Sequence, residues 1–527
     1  MPAAADVVIL GSGAAGLSAA LSASEGGAEV IVLERSAWAG GTTAISGGVV
    51  WAPGNHLMTE AGIPDSDADA ITYLDRIDRG GDSLLRTEFV HNASRVMKLL
   101  EERTPLTWAL LPTWPDYHSE EPGGSEGGRS MWPAPIHVPA DIAARVQPSP
   151  ETGQTLSDPA NSDPASSDPA NSDPANDGVV FKGPVRGRAL VGALLMELGS
   201  RHVEIRLNTR ARHVVVENGR VTGVTVDGEH MIGHVVLATG GFQHDRELSG
   251  AFLRAPEIVA MGPPGCSGDG LRMAMTAGAM LSNMAEGWWM PAMHADGEDL
   301  DGSRFYRPLH SERAQPGALM IDRNGRRFVN EAQNYGDVGR AMQNFSPDDD
   351  WFPALPSWLV FDSSLRRSGS FGPLRPSDPD PDWLMSAGSL PELAKRMSVA
   401  KDALVSTVER FNANALNATD PDFRRGERHY DRWIAGGSSR QPVLRPLDEA
   451  PFYALKVHCG CMGTKGGPKT DSYGRVQAAS GGVIAGLYAA GNAAANPFGI
   501  ATPAGGATIA SALVFGTRAG QAAATDR

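Results

Sequence analysis

A glycine-rich turn close to the start of the chain restricts the fold more than any other feature. It follows a short apolar run, Asp6 to Leu10, and precedes an Ala/Leu-rich stretch with helical spacing. A second apolar run, from Ala28 to Leu33, ends at Glu34, eighteen positions after the last glycine of the turn. We therefore predict a βαβ unit whose two strands are buried on both faces of a parallel sheet.

The turn has the G-x-G-x-x-G spacing, which in this strand-to-helix context predicts dinucleotide binding. The first glycine allows the tight turn, the second lets the backbone approach a pyrophosphate, and the third lets helix and strand pack closely. The acidic residue after the second strand can accept hydrogen bonds from a ribose. The residues concerned are Gly11, Ser12, Gly13, Ala14, Ala15, Gly16, Glu34 and Arg35.

Further glycine-rich loops favour FAD over NAD, because they are available to run beside the rest of an extended cofactor. The predicted cofactor contacts there are Gly40, Gly41, Thr42, Thr43, Ser46, Gly47, Gly48, Ala238, Thr239, Gly240, Gly241 and Asp269. Near the end of the chain, a strand and a helix repeat the pattern, and the helix N-terminus could stabilise the negative charge of a reduced flavin. The predicted cofactor contacts in this C-terminal segment are Gly491, Asn492, Gly506, Ala507, Thr508 and Ile509.

The length of 527 residues predicts two packed regions. We assign 1–285 and 453–527 to a Rossmann-like α/β domain with a doubly wound parallel sheet, and 286–452 to an inserted α+β cap domain that faces the substrate. A proline-rich insertion at 150–178 contains a five-residue unit repeated four times, from Ser157 to Asn176. Its prolines and its lack of large apolar side chains predict irregular, disordered surface structure.

Composition excludes several classes of partner. The net charge of −15 repels phosphate backbones, which argues against nucleic-acid binding. Three cysteines without CxxC spacing predict a reducing, cytoplasmic setting, no disulfide framework and no metal site. No apolar run approaches the roughly 18 residues of a membrane span, so we expect no such span.

With these motifs in place, the chain resembles the flavoprotein superfamily of fumarate reductases and 3-ketosteroid dehydrogenases. The resemblance covers nearly the whole chain apart from the repeat. It rests on the Gly11-to-Glu34 unit and on the sequences Gly40 to Gly47, Met462 to Gly467 and Leu487 to Asn492. It implies a bound FAD beside a mobile cap domain. The loop at Thr42 and Thr43 lacks the histidine of covalent members, which favours noncovalent FAD.

The resemblance is stronger to the 3-ketosteroid Δ1-dehydrogenase branch. The positions that fumarate reductases fill with a proton-donating arginine, a histidine and a second arginine hold Tyr335, Gly463 and Pro503 here. The Pro-Asp-Tyr motif of the ketosteroid branch is present at Tyr117, and its second active-site tyrosine falls on Tyr335.

This resemblance implies catalytic roles. Tyr335 would remove the proton beside the substrate carbonyl, Tyr117 would assist the ionisation of Tyr335, and the β carbon would deliver hydride to flavin N5. The third tyrosine of the branch aligns with Thr502, and the amide that shares its task of binding the ketone oxygen aligns with Gly506. The carbonyl site is therefore altered.

We expect an FAD-dependent dehydrogenase that desaturates a small-molecule cyclic or steroid-like ketone and passes electrons to an acceptor that the sequence leaves unidentified. Two alternatives remain open at this point. The chain could be an ene-reductase that saturates an activated double bond, or an FAD-binding protein whose substrate site has decayed.

Overall fold

The computed structural model describes residues 3–78, 80–148, 178–181, 186–436 and 443–526. Its strands there are β1 Ala3–Leu10, β2 Val30–Leu33, β3 Val50–Trp51, β4 Trp108–Leu110, β5 Ser130–Pro133, β6 Ile136–Pro139, β7 Gly178–Phe181, β8 Glu204–Arg206, β9 Ala211–Glu217, β10 Arg220–Val226, β11 Glu229–Leu237, β12 Val259–Ala260, β13 Leu281–Ser282, β14 Gly287–Met293, β15 Asp299–Leu300, β16 Ser303–Arg304, β17 Arg307–Pro308, β18 Ala318–Ile321, β19 Ser357–Asp362, β20 Met385–Ala387, β21 Phe452–Thr464, β22 Gly467–Pro468, β23 Arg475–Gln477 and β24 Val483–Ala489.

The helices of the same residues are mostly short, with two long exceptions at α5 and α15. They are α1 Ala14–Glu25, α2 Gly41–Ala44, α3 His56–Glu60, α4 Asp67–Ile77, α5 Ser83–Arg103, α6 Ala140–Ala143, α7 Gly187–Ser200, α8 Arg246–Phe252, α9 Asp269–Thr276, α10 Tyr335–Ala341, α11 Ser363–Ser368, α12 Leu390–Met397, α13 Lys401–Ala415, α14 His429–Ile434 and α15 Ala507–Thr525.

The larger sheet confirms the predicted α/β fold with a parallel sheet. Its strands β24, β11, β1, β2 and β8 lie side by side and parallel, in that order. On β1, Val7 and Ile9 pack on one side of the sheet, while Val8 and Leu10 pack on the other. This two-sided burial explains why the strand is a continuous apolar run without alternation.

Several local predictions agree with the observed elements. The apolar spacing from Ile71 to Ile77 and from Phe89 to Leu100 predicts two helices between Asp69 and Arg103, and these helices are α4 and α5. The Asn-Gly dipeptide at 218–219 predicts a tight hairpin. This turn joins β9 to β10, and both of its residues have positive φ, as such a hairpin requires. The repeat from Ser157 to Asn176 lies outside the described residues.

A second sheet contains strands from the middle of the chain. Its strands run in the order β17, β14, β21, β19 and β18, with β12 and β20 also paired to β21. The long strand β21 crosses the predicted domain boundary at 452/453 and pairs with β14 and β19 along its length. We propose that the boundary between the two domains falls after Thr464.

Helix α15 packs against α1 through glycines that allow close approach. A Cβ atom at Gly520 would lie 2.1 Å from the carbonyl oxygen of Ala19, and one at Gly516 would lie 2.4 Å from that of Ala15. The C-terminal helix therefore touches the backbone of the helix that follows the glycine-rich turn.

This contact predicts that Gly520→Ala destabilises the protein. Overpacking typically costs about 1–3 kcal/mol, and the backbone of α1 cannot move aside without disturbing the sheet. Thermal unfolding should show a lower Tm. Gly199→Ala is the matched control, because Gly199 is an exposed helix residue whose added Cβ would meet nothing within 4 Å. It should leave Tm unchanged or raise it. Equal Tm values for the two variants would contradict the prediction.

Candidate active site

A cavity of about 760 Å³ extends along the carboxyl ends of the parallel strands. The glycine-rich turn, the second glycine-rich loop and the N-terminus of α15 contribute to its wall, as do residues of the second sheet. Ligands bind at this edge of parallel sheets, where loops and helix N-termini converge. The cavity is therefore the candidate site for both cofactor and substrate.

The glycine-rich turn has the geometry that the fingerprint predicts. Gly11 has φ of +101°, and a Cβ atom there would lie 2.4 Å from the carbonyl oxygen of Ala238. A Cβ atom at Gly16 would lie 1.9 Å from the carbonyl oxygen of Gly11. At Gly13 the closest contact would be 3.6 Å away, to Thr43 Oγ1. The turn is thus tight at its first and third glycines, and has room for a ligand at the second.

Glu34 holds the turn and the following loop in place. Its Oε2 accepts hydrogen bonds from the backbone amide of Ser12 at 3.0 Å and from the Ser12 hydroxyl at 2.7 Å. Its Oε1 accepts one from the amide of Ser36 at 2.9 Å. An ionised carboxylate has about four acceptor positions, so the predicted contact with a ribose hydroxyl remains available.

Two arginines meet one carboxylate close to Glu34. Arg35 lies 3.2 Å and Arg210 lies 2.6 Å from oxygens of Asp269, and all three residues line the cavity. Asp269 therefore pairs with arginines across the end of the cavity next to Glu34. Arg210 was not predicted, because it follows β8, far along the chain from the fingerprint.

The second glycine-rich loop includes the one-turn helix α2. Thr43 Oγ1 accepts a hydrogen bond from the amide of Ala14 at 3.0 Å, which ties this loop to the start of α1. Gly40, before the helix, has φ of +107° and is packed against Ala44 and Val191. The loop thus forms a second wall beside the dinucleotide turn.

Most predicted site residues line this single cavity. They are Gly11, Ser12, Gly13, Ala14, Ala15, Glu34, Arg35, Gly41, Thr42, Thr43, Ser46, Gly47, Gly48, Tyr117, Ala238, Thr239, Gly240, Asp269, Tyr335, Gly491, Asn492, Gly506, Thr508 and Ile509. The predicted residues outside its wall are Gly16, Gly40, Gly241, Thr502 and Ala507. The glycines of the second group pack against neighbouring backbone or side chains, so they shape the wall from behind.

The N-terminus of α15 presents backbone amides to the cavity. Gly506, which has φ of +92°, caps the helix, and Thr508 and Ile509 in its first turn also line the cavity. The amide groups of these three residues donate to no other described residue. Unpaired amides and the positive end of the helix dipole together favour a ligand with negative charge.

Tyr117 and Tyr335 meet edge to face in the same cavity. Their ring centroids are 5.2 Å apart, and the Tyr117 ring also contacts Tyr430 at 5.0 Å. Burial raises the pKa of both phenols, while the Tyr117 hydroxyl and the buried guanidinium of Arg313 lower that of Tyr335. Of the pair, Tyr335 is therefore the phenol whose ionisation its neighbours assist.

Thr502 lies next to the tyrosines but outside the cavity wall. Its hydroxyl is 2.6 Å from the position that a Cβ atom at Gly336 would occupy, beside Tyr335. The next residue, Pro503, offers its carbonyl oxygen to the amide of Tyr117 at 2.9 Å and to the hydroxyl of Tyr73 at 2.6 Å. This segment supports the tyrosines from behind, whereas Gly506 faces the cavity.

Sequence reasoning missed most of the apolar wall around the tyrosines. That wall contains Trp114, Met261, Trp288, Met290, Phe305, Tyr306, Pro308, His310 and Met462. Burial and the nearby Arg313 lower the pKa of His310 to about 3, so its imidazole is neutral at pH 7. The only available signal was the high aromatic and proline content of the middle segment, which does not identify single residues.

The parallel sheet, its glycine-rich turn and this cavity are typical of a dinucleotide-binding protein, here with two buried phenols on the same cavity wall. The chain belongs to the family described as FAD binding domain, whose model matches residues 6–509. It is therefore an FAD-dependent flavoprotein. The residues of the cavity fit that cofactor, because the room at Gly13 and the unpaired amides of α15 lie on one continuous wall.

Relatives of known activity narrow the class further. The chain is 37% identical to 4-oxocyclohexanecarboxylate 2-dehydrogenase of Sinomonas cyclohexanicum, over 99% of this chain and 94% of that protein. It is 34% identical to 3-oxosteroid 1-dehydrogenase of Mycobacterium tuberculosis, over 97% and 96%. The protein is thus an oxidoreductase of the kind that acts on CH–CH groups.

The solved structures agree with this result. The structure of 3-ketosteroid delta1-dehydrogenase from Sterolibacterium denitrificans, in complex with 1,4-androstadiene-3,17-dione, superposes with a TM-score of 0.89. It is 30% identical and covers 99% of this chain and 100% of that one. The predicted resemblance to the ketosteroid dehydrogenase branch is confirmed.

Among the described residues, no helix combines the length and apolar character needed to cross a membrane. In the same part of the chain, no group of three or more His, Cys, Asp or Glu side chains could hold a metal ion.

Proposed function

We propose that this protein introduces a carbon–carbon double bond next to the carbonyl of a cyclic ketone. The observation that carries the proposal is the position of the Tyr117–Tyr335 pair, in the same cavity as the dinucleotide turn and the N-terminus of α15. Desaturation beside a carbonyl requires a base and a hydride acceptor in the same cavity.

Tyr335 is the proposed base. It takes the proton from the carbon next to the carbonyl, and Tyr117 stabilises the phenolate by its hydrogen-bonding hydroxyl. Bound FAD supplies the acceptor for the hydride that leaves the neighbouring β carbon. The two electrons of that C–H bond thus leave with the hydride, the proton stays on Tyr335, and the double bond forms between the two carbons.

Gly506 is the proposed donor to the ketone oxygen. Its amide donates to no described residue and lies at the positive end of α15, where developing enolate charge is stabilised. Thr502 occupies the aligned position of the third tyrosine, yet it lies behind Gly336. We therefore assign Thr502 to the support of Tyr335, and the carbonyl donor to the backbone of α15.

The wall around the tyrosines favours an uncharged ring. Among the described residues of 286–452 that line the cavity, Arg307 is the one cation apart from the neutral His310, and it pairs closely with Glu298. Arg313 lies outside the cavity lining, so a substrate carboxylate would meet no unpaired cation on this wall itself. Burying a charge without a partner is costly. Of the two substrate types in the names of the relatives, we infer that the steroid-like, uncharged type fits better than the keto acid.

The experiment is anaerobic mixing of the FAD-loaded protein with a panel of ketones while the oxidised flavin band is followed. We expect uncharged ketones, such as alkyl cyclohexanones and 3-ketosteroids, to bleach the flavin. Because a carboxylate would be desolvated without a partner, 4-oxocyclohexanecarboxylate should bleach it at least tenfold more slowly, equivalent to about 1.4 kcal/mol.

The other outcomes test the inference about substrate charge separately from the desaturation. Faster bleaching by the keto acid would overturn the inference about charge, but would support the desaturation. If no ketone bleaches the flavin, the proposal itself fails. Reoxidation of the reduced protein by an enone would then establish the ene-reductase reaction. The matched control is free FAD under the same conditions, which separates catalysis by the protein from reaction in solution.

A further inference from the structure

The two tyrosines come from distant parts of the chain that an ion pair joins directly. Tyr117 lies in the loop after β4, and Tyr335 is the first residue of α10. Beside them, His118 Nε2 lies 3.3 Å from Oδ2 of Asp337. The pair thus links the residue after one tyrosine to the third residue of the helix that begins at the other.

Asp337 is also part of the cap of α10. The side chain of Asn334 accepts a hydrogen bond from the Asp337 amide at 3.0 Å, and its Nδ2 donates to Oδ2 of Asp337 at 2.8 Å. Gln333 Nε2 donates to the same oxygen at 2.8 Å. Such reciprocal capping fixes the first turn of a helix, which here carries Tyr335.

The His118 side has a backbone anchor of its own. Its amide donates to the hydroxyl of Tyr73 at 3.3 Å, and Tyr73 in turn donates to the carbonyl oxygen of Pro503. That carbonyl also accepts the amide of Tyr117. These hydrogen bonds anchor the backbone of the loop, and the ion pair adds a charged side-chain contact with α10 to the ring contact between the two tyrosines.

The charges around the pair favour its ionised form. Burial lowers the pKa of His118, but Asp337 and, less strongly, Glu120 raise it above the ordinary value against the opposing effect of Arg428. Burial raises the pKa of Asp337, yet His118, Asn334 and Gln333 bring it well below its usual range. These opposite shifts in the two pKa values favour an imidazolium beside a carboxylate.

We propose that His118 and Asp337 are positioning residues, whose ion pair holds the Tyr117 loop against the first turn of α10 and so sets the contact between the two phenols. This inference rests on the proposed function. It predicts that the pair acts on the chemical step, and acts as a unit. Neither side chain touches the substrate in this role.

The test uses His118→Ala, Asp337→Ala and the double variant, each loaded with FAD. The limiting rate of flavin bleaching by a saturating ketone should fall about 10²-fold in each, since small misplacements of reacting groups have effects of this size. The half-saturating ketone concentration should change little. The double variant should be no slower than either single one, because both remove the same link.

Two further variants separate positioning from stability. His118→Gln keeps a side-chain N–H donor toward Asp337 and should recover part of the lost rate. His56→Ala removes a comparable half-buried pair, His56 with Glu101 at 2.7 Å, away from the tyrosines. It should leave the bleaching rate unchanged. FAD content and Tm are recorded for all variants.

If a ketone bleaches the flavin of the wild-type protein normally, three results would overturn this inference and leave the proposed function standing. They are additive losses of limiting rate in the double variant, a change only in the half-saturating ketone concentration, or an equal loss of rate in the His56→Ala control. If no ketone bleaches the flavin of the wild-type protein, the proposed function fails, and this inference fails with it. Coupled losses of limiting rate with partial recovery in His118→Gln would establish it.

Discussion

Replacing Tyr335 with Phe should lower the rate of flavin bleaching by a ketone about 10²–10⁴-fold, while the protein stays folded and FAD stays bound. A general base contributes a factor of this size, and Phe keeps the ring contact with Tyr117 but has no oxygen to accept the proton. Because burial raises the pKa of Tyr335, the wild-type rate should also increase with pH through the alkaline range. Anaerobic stopped-flow mixing measures both effects.

Tyr306→Phe is the matched control for this prediction. Tyr306 lines the same cavity, and its ring packs near His294 and His458, with centroids 5.6 and 5.4 Å away, and not against the ring of Tyr117 or Tyr335. Loss of its hydroxyl should change the rate far less. A Tyr335→Phe variant that bleaches at the wild-type rate would exclude Tyr335 as the base.

Gly506→Ala should reduce the limiting rate about 10²-fold, an effect comparable to loss of an oxyanion donor or to a shift of about 1 Å at the reacting groups. The new Cβ would lie 2.6 Å from the carbonyl carbon and oxygen of Val49, so the first turn of α15 must move. The backbone N–H that we assign to the ketone oxygen would move with it. Bleaching kinetics across a series of ketone concentrations measure the change.

Backbone strain alone must be separated from this displacement. Gly62 also has positive φ, at +69°, but a Cβ atom there would meet nothing within 4 Å. Gly62→Ala should therefore lower Tm slightly and leave the bleaching rate unchanged. Equal rates in the two variants would remove the reason for assigning the carbonyl site to Gly506.

The cofactor half of the site was predictable because its determinants are local. The βαβ unit from β1 to Glu34 forms within one stretch of sequence, and its glycines are required by close backbone contacts such as that between Gly16 and Gly11. The same reasoning predicted the hairpin at Asn218 and the helices α4 and α5. Local chemistry of this kind survives without knowledge of the tertiary fold.

The substrate half was less predictable because tertiary contacts create it. Trp288 and Met290 look like ordinary core residues of β14, and they reach the cavity only because β14 pairs with β21 beside the parallel sheet. The two tyrosines could be singled out only by resemblance to a family. Nothing in their local sequence predicted that Arg313 is buried near them, or that His118 would meet Asp337.

The contact between α1 and α15 has a consequence for the synthesis of the protein. Strand β1 pairs with β11, β11 in turn pairs with β24, and α1 packs on α15, so the outer neighbour of β11 and the partner of α1 both come from residue 483 onward. During translation the dinucleotide turn leaves the ribosome early. The β11 edge of its sheet stays uncovered until β24 emerges, and one face of α1 stays uncovered until α15 emerges. We therefore expect the nascent chain to bind its flavin only after α15 has been synthesised, and to depend until then on protection of these apolar surfaces.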